Sequence, residues 1–308
     1  MNQTLRIGTR GSPLALWQAR WVEEALRRIS PQADFELVPI RTLSEKFPEK
    51  PAAEIGIGIF TRELDDALRR GEVDLAVHSL KDIPSQLEPD LVIAAVPERE
   101  SPFDAFLSRD GTPLEKLPAG AQIGTGSPRR KAQILHYRPD LEILPLRGNV
   151  ATRISKVRER GFAGTILAHA GLKRLGEEKR ITQVIGAEVL VPAVGQGALA
   201  VTTCTARDDI RALLVALDHP ASHTRVTAER GFLRSLRGGC QVPAGALASF
   251  ADEKTLRVLG VVAAVDGAEC LRDELAGPAQ EAEALGIRLA EQLLARGGAR
   301  LLEGIVHN

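Results

Sequence analysis

Cys240 stands in Arg237-Gly238-Gly239-Cys240-Gln241-Val242-Pro243, where two glycines release a helical run into a loop. A loop thiol beside arginines is a candidate for a lowered pKa and for nucleophilic use. The ordinary alternative is an inert, partly buried thiol. Cys204 and Cys270 lie in strand-like contexts and are read as inert. A second cluster, Val77-His78-Ser79-Leu80-Lys81-Asp82-Ile83-Pro84, places polar residues just past an apolar run. If that run is a strand, the cluster falls at its carboxyl end, where open α/β sheets bind ligands. Asp82 there can move protons or hold a cationic transition state. It can equally form an Asx turn before Pro84. Arg10, Arg129, Arg130, Arg147, Arg153, Lys173 and Arg174 fall at the ends of predicted elements. Guanidinium forks match carboxylates, so this set points to a ligand with several of them. Lys156, Arg158 and Arg160 read as solvated positions. The sequence lacks GxxxxGK[ST], a GxGxxG after a strand, HExxH and GxSxG. It therefore offers no positive sign of a nucleotide or a metal.

The elements that must hold these residues alternate. Strands are predicted at Leu5–Thr9, Phe35–Ile40, Leu75–Ser79 and Leu91–Val96, with helices at Pro13–Ile29 and Thr61–Arg70. The pattern restarts with strands at Gln122–Thr125, Glu142–Leu146 and Thr165–Ala168, and helices at Pro128–Tyr137 and Val150–Glu159. This alternation predicts an α/β fold with a largely parallel sheet. Ile7-Gly8-Thr9-Arg10-Gly11-Ser12-Pro13 is echoed by Ile123-Gly124-Thr125-Gly126-Ser127-Pro128. Each is a strand, a glycine turn, a serine N-cap and a proline at the first helical position. Both leave free N–H groups at a helix start, which suits an anion, although any α/β protein has capped helices. Pro97–Pro102 and Val191–Gly197 are candidate connections between two lobes that would form a hinged cleft. Helical runs at Ala206–Leu217 and Ser222–Leu236 follow. Strands at Gly245–Phe250, Leu256–Val265 and Glu269–Ala276 and a helix at Ala279–Arg296 then predict a small α+β third domain. The expected division is 1–97 with 198–216, then 103–191, then 220–308.

The 308 residues suffice for such domains. With 44% hydrophobic and 26% charged residues the chain is an ordinary globular one, not a disordered one. Its 40 basic and 40 acidic side chains cancel, and aromatics are only 4%, which argues against a nucleic-acid binder. Three cysteines without a CxxC argue against disulfides or structural zinc. No apolar stretch reaches the ~18 residues of a membrane span, and the first residues lack a signal-peptide core, so a cytoplasmic location is expected. The neutrality is uneven: residues 121–180 hold thirteen Lys/Arg against five acids. A positive lobe in a neutral protein suits a small polyanion.

Together these motifs identify a resemblance. Arg10–Ala15, His78–Asp82, Arg147–Asn149, Ala170–Leu175, Pro192–Gly197 and Gly238–Pro243 resemble, in order and over essentially the whole chain, the porphobilinogen deaminase family. The resemblance implies two periplasmic-binding-protein-like α/β lobes, an active site between them, and a third domain carrying the cofactor cysteine. It implies that Cys240 holds a covalent dipyrromethane cofactor, to which four porphobilinogen units are added head to tail with loss of ammonia. Water then releases hydroxymethylbilane for tetrapyrrole and heme biosynthesis. Asp82 matches the catalytic aspartate. Ser12, Ser79, Lys81, Asp82, Thr125, Ser127, Arg129, Arg130 and Arg147 match cofactor contacts, and Arg10, Arg153 and Arg174 match arginines for the substrate acids. No metal, nucleic acid or membrane partner is implied, and a monomer is expected.

One stretch departs from the family pattern. Across 42–60, Ile57 stands where a lysine is usual, and Thr203 replaces a common acidic residue. The loop 43–58 is expected to be exposed and mobile, closing by its isoleucines. Two rival readings are a two-lobed anion-binding module and a catalytically poor deaminase homologue. The first leaves Gly-Gly-Cys-Gln-Val-Pro unexplained. The second is opposed by the intact Asp82 and Cys240.

Overall fold

The computed structural model describes residues 4–42, 61–236 and 242–305. By their contacts they form two compact units, Met1–Glu100 with Ala198–His223, and Ser101–Gly197 with Thr224–Asn308.

The first unit is built on a five-stranded sheet. Strand β1 (Leu5–Arg10) leads into helix α1 (Pro13–Ile29), then β2 (Phe35–Ile40), α2 (Arg62–Arg69), β3 (Leu75–Ser79) and β4 (Leu91–Ala95). Ser12 caps α1 by accepting from Ala15 N, and Pro13 occupies the first helical position, as the motif predicts. The buried face of α1 is Ala15, Gln18, Ala19, Val22, Ala25 and Leu26, spaced three and four apart. Gln18 is the one polar member of that face. Ala19, Val22, Ala25 and Leu26 pack with Ile7, Leu75, Val77 and Val201 of the sheet. Burying a side chain such as Leu26 is worth ~1.5–3 kcal/mol.

This sheet is mixed, not largely parallel as the sequence suggests. β2, β1 and β3 are parallel neighbours, but a strand at Leu199–Cys204 inserts antiparallel between β3 and β4. Its residues Leu199–Thr203 are all buried, so it shows no polar alternation to mark it as a strand in the sequence. β1 and β3 run side by side in the same direction, so Arg10 and Ser79 emerge at one carboxyl edge.

The second unit holds two sheets. The five-stranded one contains β5 (Asp104–Ser108), β6 (Gln122–Gly124), β7 (Glu142–Leu144), β8 (Gly164–Ala168) and β9 (Gln183–Ile185), in the order β7-β6-β8-β5-β9. β6 is parallel to both β7 and β8, while β5 is antiparallel to its neighbours. The strands β5 and β9 are not among those the sequence predicts. Helix α3 (Pro128–Tyr137) follows β6, and Ser127 caps it by accepting from Arg130 N. Helix α4 (Val150–Glu159) is capped by Asn149, which accepts from Thr152 N. The short helix α5 (His169–Arg174) follows β8. The other sheet is an antiparallel meander of Ala244–Phe250, Thr255–Ala263 and Cys270–Pro278. Helices at Pro220–Ser235 and Ala282–Leu293 cover it, with Phe232, Leu285, Leu289 and Leu293 buried against Ala246, Val258 and Val262. The last predicted helix is shorter than expected because a 3-10 turn at Ala279–Glu281 precedes it and a π turn at Leu294–Gly298 follows it.

Candidate active site

In the first unit, the carboxyl ends of β1 and β3 enclose a small cavity of about 50 Å³ lined by Arg10, Ser12, Gln18, His78, Ser79 and Asp82 among others. β3 runs into a 3-10 turn, Leu80–Asp82, whose apolar Leu80 is buried while Lys81 and Asp82 stay half-buried. That turn presents the Asp82 carboxylate to the Arg10 guanidinium, with Nη1 and Oδ2 3.7 Å apart. The distance is that of an ion pair and too long for a hydrogen bond. Their side chains are 21% and 27% exposed, so both groups remain open to a ligand.

Two buried polar groups that the sequence does not single out for a role support this edge. Gln18 Nε2 donates to Ser79 Oγ at 2.9 Å, and Ser79 Oγ lies 3.2 Å from Gln18 Oε1. The polar interruption in the buried face of α1 therefore fixes the serine of the cluster. His78 is buried, and its Nε2 lies 3.1 Å from Thr202 Oγ1. Burial, and then the nearby Arg10 charge, push its pKa down to about 4, so the imidazole is neutral. Thr203, the residue that departs from the family pattern, is buried and donates from Oγ1 to the Asp74 carbonyl at 2.8 Å.

The other sequence-predicted residues lie in the second unit, around the starts of α3, α4 and the end of α5. Thr125 is buried, and its Oγ1 accepts from Ser127 N at 3.2 Å. Arg129 and Arg130 are not at a solvated helix start: they are 4% and 5% exposed. Both bind the fully buried Asp104 at the start of β5, at 2.9 and 2.7 Å. The two cations hold the Asp104 carboxyl far below the usual carboxylate range, against the opposing effect of burial. Arg129 also donates to the Val191 carbonyl at 2.7 Å and Arg130 to the Ile166 carbonyl at 2.9 Å.

Arg147 is half-buried, and its stem lies against Gly126, where an added Cβ would come within 3.4 Å of Arg147 Cγ. Gly148 follows with φ 121°, a conformation that glycine adopts readily. Arg153 Nε donates to the Gly148 carbonyl at 2.8 Å, and Lys156 Nζ reaches the Arg147 carbonyl at 3.5 Å. Lys156 is thus half-buried and tied to this turn, not simply solvated, whereas Arg158 and Arg160 are exposed as expected. Arg174 donates to the Gly197 carbonyl at 2.7 Å.

Cys240 and the loop 43–58, with Ile57, lie outside the described residues. The other two thiols are half-buried and free, and burial raises the pKa of each, which makes them poor nucleophiles. Among the described residues no group of three or more His, Cys, Asp or Glu could hold a metal ion, and no helix is long and apolar enough to cross a membrane.

Residues 5–212 match the family model described as porphobilinogen deaminase, dipyrromethane cofactor binding domain, and residues 223–295 match the C-terminal domain of the same enzyme. The chain belongs to the porphobilinogen deaminase family. A porphobilinogen deaminase of Syntrophotalea carbinolica is 49% identical over 99% of this chain and 96% of its own. One of Desulfitobacterium hafniense is 48% identical over 98% of this chain and 97% of its own. Among solved structures, the periplasmic VFT2 domain of Bordetella pertussis BvgS is similar over 68% of this chain and 85% of its own, at 14% identity and a TM-score of 0.41. The deaminase family is a transferase family of tetrapyrrole biosynthesis, and its cofactor is dipyrromethane. The anion-binding module is not favoured as an alternative.

Proposed function

We propose that the chain makes linear hydroxymethylbilane from four porphobilinogen units, using a dipyrromethane primer held through a thioether at Cys240. The observation that carries the reading is the Arg10–Asp82 pair at the carboxyl edge of β1 and β3, a half-open carboxylate 3.7 Å from a guanidinium. For each unit added, the bond from the aminomethyl carbon to nitrogen breaks and ammonia leaves. With the primer bound, a carbon–carbon bond would form to the free α-carbon of the terminal pyrrole, whose proton would leave. Water ends the cycle and releases the product.

Asp82 holds the cation left when ammonia departs and passes on the protons of coupling. Arg10, Arg153 and Arg174 bind the acetate and propionate groups of the substrate. Ser12, Ser79, Lys81, Asp82, Thr125, Ser127, Arg129, Arg130 and Arg147 hold the primer. When bound, the primer supplies an anchored pyrrole carbon to which each new unit is joined. The residues present suit such a group: the Nε of buried Arg129 lacks a partner among the described residues, as expected where a carboxylate is to bind. The basic surplus of residues 121–180 supports the same reading.

The domain division 1–97 with 198–216, 103–191 and 220–308 is part of the proposal, supported by one sheet falling in each part. So are a cytoplasmic location, a monomeric state and the absence of a nucleic-acid partner, the last supported by the balanced overall charge. Intact mass and peptide mapping of the purified chain test the reading. A two-pyrrole adduct is expected on Cys240 and not on Cys204 or Cys270. A modification that survives Cys240→Ala refutes the attachment.

A further inference from the structure

Asp104 has no part in the reaction just described, yet it organises two of the residues that do. Its Oδ2 accepts from Arg129 Nη1 at 2.9 Å, and its Oδ1 accepts from Arg130 Nε and Nη2 at 2.9 and 2.7 Å. All three side chains are buried. Two guanidiniums against one carboxylate leave a surplus positive charge, which is costly in the interior unless an anion meets it. Among the described residues, Arg130 uses three of its five N–H groups, on Asp104 and the Ile166 carbonyl. Arg129 Nε is buried without a partner.

The third sheet also touches this cluster. A Cβ added at Gly245 would lie 3.2 Å from Arg129 Cδ and 2.5 Å from the Pro192 carbonyl oxygen. The backbone of the third sheet therefore rests directly on Arg129. Gly245 is five residues past Cys240, a span of at most ~18 Å when fully extended.

We propose that Asp104 is a positioning residue for the primer: it fixes the Arg129–Arg130 pair so that their remaining N–H groups meet a primer carboxylate, and that carboxylate neutralises the surplus charge. The inference rests on the deaminase reading above. A neutral side chain at 104 would leave two guanidiniums repelling each other. A longer acid would keep the charge and move both forks.

Intact mass spectrometry of the full-length chain, after incubation with a series of porphobilinogen concentrations, reads primer occupancy directly. A parent chain with no two-pyrrole adduct defeats the deaminase reading itself, whatever the variants do. With the parent loaded, Asp104→Glu is expected to keep its near-ultraviolet circular dichroism and to need about tenfold more porphobilinogen for half occupancy, the size of one lost charge-assisted hydrogen bond. Asp104→Asn is expected to load less than Asp104→Glu. A folded Asp104→Glu that loads like the parent overturns the inference, since charge balance alone would then suffice. If neither variant folds, a crystal structure of the loaded parent decides. It is expected to show a primer carboxylate hydrogen-bonded to Arg129 or Arg130 while both still bind Asp104. Primer carboxylates bound only elsewhere overturn the inference.

Discussion

Asp82→Asn removes one negative charge and nearly preserves shape, so it separates chemistry from folding. In the folded chain the carboxylate lies 3.7 Å from Arg10, and both side chains are about a quarter exposed. A partly exposed pair of this kind contributes ~0–1 kcal/mol to stability. The substrate cation is a different case, because it exists only in the transition state and beside it. A unit charge at ~4 Å and an effective dielectric of ~20 gains ~4 kcal/mol. Losing that gain costs about 10³-fold in rate, within the range typical of lost acid–base and electrostatic groups. The expected variant therefore melts within a few degrees of the parent and turns over roughly a thousandfold more slowly. The assay is the initial rate of hydroxymethylbilane formation, read after its closure and oxidation to porphyrin, beside a thermal melt. Turnover within a few-fold of the parent would return Asp82 to a turn-forming role. A large loss of rate matched by a large loss of melting temperature would also refute the reasoning, since it would make the pair structural.

The remaining predictions concern His78, Gly245 and the arginines. Burial and Arg10 hold His78 at about 4 against an ordinary 6.5, so the unfolded chain takes up a proton below pH 6.5 that the folded chain refuses until about pH 4. Stability is therefore expected to fall by up to ~3 kcal/mol on acidification across that window, and His78→Gln to flatten that fall in urea melts at pH 7 and pH 4.5. Gly245→Ala forces a methyl against the Pro192 and Val191 carbonyl oxygens, at 2.5 and 2.8 Å, and should cost ~1–3 kcal/mol in the same melts. Arg158→Ala and Arg160→Ala, at exposed positions, should change stability by less than ~0.5 kcal/mol and leave the Michaelis constant for porphobilinogen alone. Arg153→Ala should raise that constant. Equal effects at all three positions would show that place in the turn carries no information.

The parts of this fold that were legible in the sequence are those with local causes. Ser12-Pro13 and Ser127-Pro128 announce their helices because a cap and a fixed φ act within one turn. Asp82 could be placed at a strand end because the apolar run before it stops abruptly. The strands at Asp104–Ser108 and Leu199–Cys204 are not legible because buried strands show no polar alternation, and Gln183–Ile185 is not legible because three residues are too few to show a period. With Leu199–Cys204 unmarked, the antiparallel insertion in the first sheet is not legible either. Partners distant in the chain were invisible for a related reason. Asp104 meets Arg129 and Arg130 across 25 and 26 residues, and no local pattern records that meeting. Gln18 is the intermediate case. Its periodic position places it on the buried face, which flags a polar group in need of a partner, but only the structure names Ser79.

The repeated strand–serine–proline unit shows how one local device serves two purposes. In both units it fixes a helix start beside the carboxyl end of a strand and sets arginine near it. In the first unit the arginine precedes the cap, and Arg10 reaches a carboxylate that stays open, with 27% of the Asp82 side chain exposed. In the second the arginines follow the cap, turn inward, and bind a carboxylate with no exposure at all. An open carboxylate can change its partner during a reaction. A sealed one cannot, and serves better to hold two cations in fixed directions. The difference follows from the side of the cap on which arginine is placed. Residues before a cap continue the strand edge, whereas residues two and three positions into a helix lie on its first turn, here against β5 and Val191.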